Sequence, residues 1–182
     1  MAEYKIGYID TYHSDRNVFI GGALVTDCYG IPLEFRHTDA VSPTKLEQIL
    51  YGRSLDKYLK ADTLANALLK DLEKKPDLLV VPDESYYTLT RNYPFPFVQL
   101  GTVRREPLAK PGDFQEVSEN EIHLQILSNR EPVRIKVDRK NAPTLASVKA
   151  MILEIGRTMD IVEPFDRVRG ALRAIADDAG RS

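Results

Sequence analysis

The chain has 182 residues, 43% hydrophobic and 29% charged, with 27 acidic side chains against 25 basic ones and a net charge of −2. That is enough apolar material for one packed core and too little net charge for strong non-specific attraction to nucleic acid or to an anionic membrane. The single cysteine, Cys28, excludes an intrachain disulfide and suits a reducing compartment. No apolar run is long enough to span a membrane, and the opening residues carry no signal-peptide pattern, so the expected location is cytoplasmic.

Residues 5–12 (KIGYIDTY) predict a first strand, with Ile6, Tyr8 and Asp10 alternating with Gly7, Ile9 and Thr11. Residues 18–26 predict a second. Gly21-Gly22 lies among apolar strand residues with no Lys-Ser/Thr after it, so a bulge or close backbone approach is favoured over a phosphate loop. Asp27-Cys28-Tyr29-Gly30 is turn material, with Gly30 able to supply a positive φ. Residues 31–38 alternate Ile31, Leu33 and Phe35 with Glu34 and Arg36. Pro32 lacks an N–H and puts this third strand at a sheet edge.

A helix follows. It spans residues 43–51, with Pro43 where a first-turn proline is tolerated, Thr44 and Glu47 at capping-box spacing, Leu46, Ile49 and Leu50 as its apolar stripe, and Gly52 as its stop. A longer amphipathic helix is expected over residues 55–75, with Leu55, Leu59, Leu64, Leu68 and Leu72, ended by Pro76. Residues 77–81 (DLLVV) are continuously apolar and suit a strand buried on both faces beside a parallel neighbour. Residues 85–92 read as a short helix or turn and 95–103 as a fifth strand.

Residues 108–120 are polar with proline and glycine, a linker or mobile loop. A hairpin over 121–127 and 133–137 should set Ile122, Leu124 and Ile126 against Val133, Ile135 and Val137. Thr144 is the expected cap of a helix holding Leu145, Val148, Ile152, Ile155 and Met159. Pro164 starts a last helix with Phe165, Val168, Leu172 and Ile175. The resulting organisation is an α/β domain over residues 1–106, a linker or loop over 107–120, a hairpin plus two-helix extension packed on the first domain over 121–176, and a fraying tail over 177–182.

The element order βββ-α-β-α-β over residues 5–103 resembles the ribonuclease H-like fold. It implies an α/β protein with a mixed five-stranded sheet, to which the C-terminal β-hairpin and two helices are added. The stretch GGALVTD…GIPLEF…QILYG is similar to a family of uncharacterised bacterial proteins. Ribonuclease H-like nucleases place one carboxylate at the end of the first strand, one on the helix after the third and one at the end of the fourth. By that resemblance the places fall to Asp10, Glu47 and Asp83, with Asp160, Glu163 or Asp166 for a late-helix acid. Such carboxylates would hold Mg2+ or Mn2+ ions that activate water and stabilise a leaving oxygen. Each residue also has a structural reading: Glu47 as a capping-box member, Asp83 as turn chemistry, Asp10 as a partner of Arg36 or Lys5.

His13, His37 and His123 lie in separate elements without ligand spacing and read as surface histidines. Cys28 reads as a turn residue, and Ser85 lacks a nucleophile-elbow context. Arg134 and Lys136 share a face of the hairpin, which either contacts phosphates or protects a strand edge. Tyr86, Tyr87 and Tyr93, with Phe95 and Phe97, either form a surface that stacks bases or binds a partner, or close a core edge. Two functions follow. The first, favoured by the near-zero net charge and the structural readings of the carboxylates, is a non-catalytic binding or assembly subunit without a cofactor, its partner another protein or a second copy of itself. The alternative is a divalent-metal-dependent nuclease hydrolysing nucleic-acid phosphodiesters.

Overall fold

The computed structural model describes residues 2–181. Strands β1 (Ile6–His13), β2 (Phe19–Thr26) and β3 (Pro32–His37) form the antiparallel meander that the alternation predicts. The turn between β2 and β3 closes with Gly30 at φ +77°. β4 (Leu78–Val80) lies parallel to β1, with Tyr8 opposite Val80, and β5 (Phe97–Thr102) lies parallel to β4. The unbroken apolar run of β4 thus fills the middle of the sheet, covered on both faces, as its composition requires.

The sheet has eight strands, not five, in the order β3-β2-β1-β4-β5-β8-β7-β6. β8 (Val133–Lys136) pairs antiparallel with β5, Leu100 opposite Ile135. β7 (Glu121–Leu124) pairs with β8, and β6 (Phe114–Ser118) with β7. The hairpin therefore extends the sheet edge to edge, because the free edge of β5 needs ladder partners. Residues 107–120, expected as a linker or loop, contain β6. All five of its residues are exposed, so it carries no burial signal in its sequence.

One face of the sheet is covered by the helical run after β3. Helix α1 (Lys45–Tyr51) has the expected capping box, and Gly52 ends it at φ +51°. Its apolar stripe does not pack: Leu46, Ile49 and Leu50 are 64%, 68% and 72% exposed. A 3-10 turn (Gly52–Ser54) leads into α2 (Leu55–Lys57), a π-helical segment (Tyr58–Ala65) and α3 (Asn66–Asp71). The five-residue step from Leu59 to Leu64 overshoots an α-turn. The wider π turn absorbs the extra residue and keeps both leucines buried. Leu68, Leu69 and Leu72 join Ile9, Ala23, Val25 and Leu79 in one core, which a 3-10 segment (Glu84–Asn92) completes with Tyr86, Tyr87 and Leu89.

The other face carries α4 (Leu145–Ile155) and α5 (Pro164–Ala179). Thr144 stands at the N-cap position of α4, as expected, but its side chain makes no capping bond. It ends a 3-10 turn, and its hydroxyl donates to the Asn141 carbonyl at 2.6 Å. Residues 177–179, expected to fray, continue α5, while Ser182 lies outside the described residues. Ile122, Leu124, Ile135 and Val137 share a buried face with Val148, Ile152, Phe165, Val168 and Leu172. The two strand glycines permit close approach from opposite sides. A Cβ on Gly22 would sit 2.8 Å from Leu172 Cδ2, and one on Gly21 would sit 3.1 Å from Leu64 Cβ.

Candidate functional site

Asp10 stands two residues beyond the Tyr8–Val80 pairing, inside β1, and Asp83 three residues beyond it, past the end of the adjacent parallel strand β4. Strand alternation turns Asp10 toward α5 and Thr11 toward the opposite face. Asp10 Oδ2 accepts from Arg169 Nε at 2.8 Å, and Oδ1 accepts from the Thr11 backbone N–H at 2.7 Å. Its partner is therefore neither Arg36 nor Lys5. Arg36 instead serves Glu34, Asp71 and Glu73. Asp83 caps the 3-10 segment, with Oδ1 accepting from the Ser85 backbone N–H at 2.8 Å and from the Ser85 hydroxyl.

Behind these carboxylates lies Tyr86, whose hydroxyl is 3.1 Å from Thr11 Oγ1. Burial raises its pKa above the ordinary phenol value, and the negative charges of Asp10, Asp83 and Asp56 raise it further, against the lowering bond with Thr11. Asp10 and Asp83 thus both raise the pKa of one phenol. Asp56 joins them from α2 and is paired with Lys60 at 2.9 Å.

Glu47 does not join this group. Its side chain accepts from the Thr44 backbone N–H at 2.7 Å on the exposed helix α1. The late acids also lie elsewhere. Arg167 bonds both Glu163 and the Gly30 carbonyl, which ties the start of α5 to the turn beyond Thr26, and Thr26 pairs with Ile6 at the start of β1. Asp160 bonds the Val162 backbone N–H at 3.0 Å and faces Arg130 at 3.6 Å, and Asp166 lies in the first turn of α5. Opposite Asp10, α5 presents Arg169.

Among the described residues no group of three His, Cys, Asp or Glu side chains is placed to hold a metal ion. The arrangement does not fit a two-cation centre. Carboxylates are nevertheless the donor type of a hard cation, since Mg2+ is commonly held by one or two of them together with water and substrate phosphate. Asp83 Oδ2 has no hydrogen bond to a described residue, and the guanidinium on Asp10 is half exposed and displaceable.

Tyr86 and Tyr87, candidates for a binding surface, are core residues at 1% and 9% exposure. Tyr93 is half-buried and bonds Asn66 Oδ1 at 2.8 Å. The aromatic cluster closes a core edge because the 3-10 segment turns it onto the sheet. Arg134 faces Glu121 at 3.9 Å, and Lys136 pairs with Glu84. His123 is partly buried: its Nε2 lies 3.9 Å from Glu121 and its Nδ1 has no hydrogen-bond partner among the described residues. Arg169 and Arg173, which line the cleft with Asp10, had as their only sequence signal an i,i+4 spacing on the last helix.

No protein-family model matches the chain, and no curated protein matches it in sequence. Solved structures do match its fold along its length. Endonuclease V from Streptomyces avermitilis is 19% identical, with a TM-score of 0.60 over 97% of this chain and 82% of that one. Human ENDOV is 14% identical, with a TM-score of 0.66 over 98% and 86%. Ciona intestinalis Endonuclease V, in complex with a 23mer DNA containing an inosine followed by a ribo-adenosine, is 11% identical, with a TM-score of 0.60 over 97% and 87%. The chain has the mixed α/β architecture of the Endonuclease V structures, which is consistent with the ribonuclease H-like expectation for its fold.

Proposed function

We propose that this protein is a nuclease acting on nucleic-acid phosphodiesters, with Asp10 and Asp83 holding one divalent cation. The observation that carries the reading is the placement of these two carboxylates just beyond the C-terminal end of the β1–β4 parallel pairing, in a fold shared along its length with Endonuclease V structures. Bound there, Mg2+ or Mn2+ would polarise a phosphoryl oxygen and lower the pKa of a bound water. The chain's own part is to fix both carboxylates: Thr11 N–H orients Asp10, and the Ser85 N–H and hydroxyl orient Asp83. The test combines melting curves in EDTA, Mg2+ and Mn2+ with cleavage assays on DNA and RNA strands with and without inosine. A cation-dependent rise in Tm and cleavage, both lost in Asp10→Asn and Asp83→Asn, supports the reading. No shift and no cleavage removes it.

A second reading is a non-catalytic binding subunit on the same fold. It is supported by Arg169, which already neutralises Asp10, and by Glu47 standing apart from the other two carboxylates. This reading predicts strand or protein binding with no cation effect.

A further inference from the structure

We propose that Arg169 and Arg173 form a phosphate-binding site for a nucleic-acid strand, and that Asp10 is the internal competitor that holds Arg169 until the strand arrives. The inference rests on the nucleic-acid reading of the site and not on cleavage.

The two arginines are one helical turn apart on α5 and line one cleft of about 270 Å3 with Asp10, Tyr12 and His13. Arg173 makes no hydrogen bond or ion pair with a described residue. Arg169 engages Asp10 through Nε alone, so both of its terminal nitrogens are uncommitted. The Phe165 ring lies 5.3 Å from the Arg169 guanidinium carbon and supports it from below. A guanidinium presents five donors in a planar fork that matches phosphate oxygens, and two such forks one turn apart can grip one backbone phosphate or bridge two. His13 is held off this task by stacking on Phe19 and by its contact with Asn17.

Asp10 and an incoming phosphate compete for one cation. The carboxylate is mostly sheltered, at 13% exposure, while Arg169 is 50% exposed. Arg169 is therefore the partner that can swing, and a strand phosphate offers it a second anion within the same cleft. When Arg169 turns to the strand, Asp10 loses its counter-charge and is freed to take another cation. The strand thereby prepares the carboxylate that the proposed chemistry uses.

The test is fluorescence anisotropy of a labelled single-stranded oligothymidylate with EDTA present, so that metal and cleavage are out of play. Wild type should bind, and Arg173→Gln and Arg169→Gln should each weaken binding and reduce the salt slope by about 0.7. Asp10→Asn should tighten binding severalfold, and that gain should vanish in the Arg169→Gln background. Melting curves confirm that each variant is folded. An equal Asp10→Asn gain in both backgrounds overturns the competition, and unchanged binding in either arginine variant overturns the site. Absence of strand binding by both wild type and Asp10→Asn at low salt also overturns it. Coupled strand binding without any cleavage in Mg2+ or Mn2+ keeps this inference and removes the nuclease reading.

Discussion

Arg169 Nε and Asp10 Oδ2 are 2.8 Å apart, joining residues 159 positions distant in the chain across the gap between α5 and β1. Removing the guanidinium leaves a largely sheltered carboxylate with only the Thr11 N–H for support. Removing the carboxylate leaves a half-exposed cation that water can solvate. Arg169→Gln is accordingly expected to cost about 1 kcal/mol and Asp10→Asn less than that, by urea denaturation at pH 7. A double-mutant cycle with no coupling would show that the pair contributes nothing to stability.

Glu34 gives stability a dependence on acid. Burial by itself pushes its carboxyl pKa up, but the Lys74 and Glu73 backbone N–H groups and the Arg36 guanidinium outweigh burial and leave it below the ordinary value of 4.5. A carboxyl depressed in the fold contributes stability above its unfolded pKa and loses it as pH falls through the folded one. Wild type should therefore lose stability more steeply than Glu34→Gln as pH drops below about 4.5. At pH 7 the variant should be the less stable. Parallel stability curves for the two proteins from pH 7 to pH 3 would contradict this.

Tyr8, Tyr86 and Tyr87 give the corresponding dependence on base. Burial raises all three above the ordinary phenol value of 10.0, and the Tyr8 and Tyr87 hydroxyls donate to the Ile161 and Lys136 carbonyls at 2.9 Å. A neutral group favoured in the fold contributes stability that is complete below its unfolded pKa and lost as pH rises toward the folded value. Ultraviolet titration should find these three of the nine tyrosines silent until alkaline unfolding exposes them together. Smooth titration of all nine near pH 10 would show that the cores on both faces are open.

Ile135 is fully buried where the hairpin meets α4, in contact with the core shared by Ile122, Val148 and Ile152. Ile135→Ala should cost about 2–5 kcal/mol, and Ile135→Asp should cost more, since it buries a charge without a partner. Chemical denaturation of the alanine variant measures this even if the aspartate variant does not fold. A loss below about 0.5 kcal/mol would mean that this layer is surface-like.

The elements legible in the sequence are those whose causes are local. Thr44 and Glu47 cap each other three residues apart, Gly30 turns the hairpin where a positive φ is needed, and Leu78 to Val80 is apolar without a break because both faces are covered. β6 was illegible because Phe114 to Ser118 is exposed throughout and is a strand only through its pairing with β7. The π segment hides in a leucine spacing that also suits an ordinary amphipathic helix. The tyrosines near Asp83 look alike as surface or core until the 3-10 segment's orientation is known. At the site, β1 and β4 announce Asp10 and Asp83, but only the i,i+4 spacing with Arg173 hints at Arg169, which meets Asp10 because α5 crosses β1.

Gly22 is the strand partner of Asp10 in β2, and Leu172 rests on it, three residues along α5 from Arg169. The hydrogen that glycine carries in place of a side chain works as a spacer gauge, setting how low the helix rides and so how far the arginine must reach. A methyl at that position would raise the helix like a shim under a beam, and the ion pair would be the first joint to open.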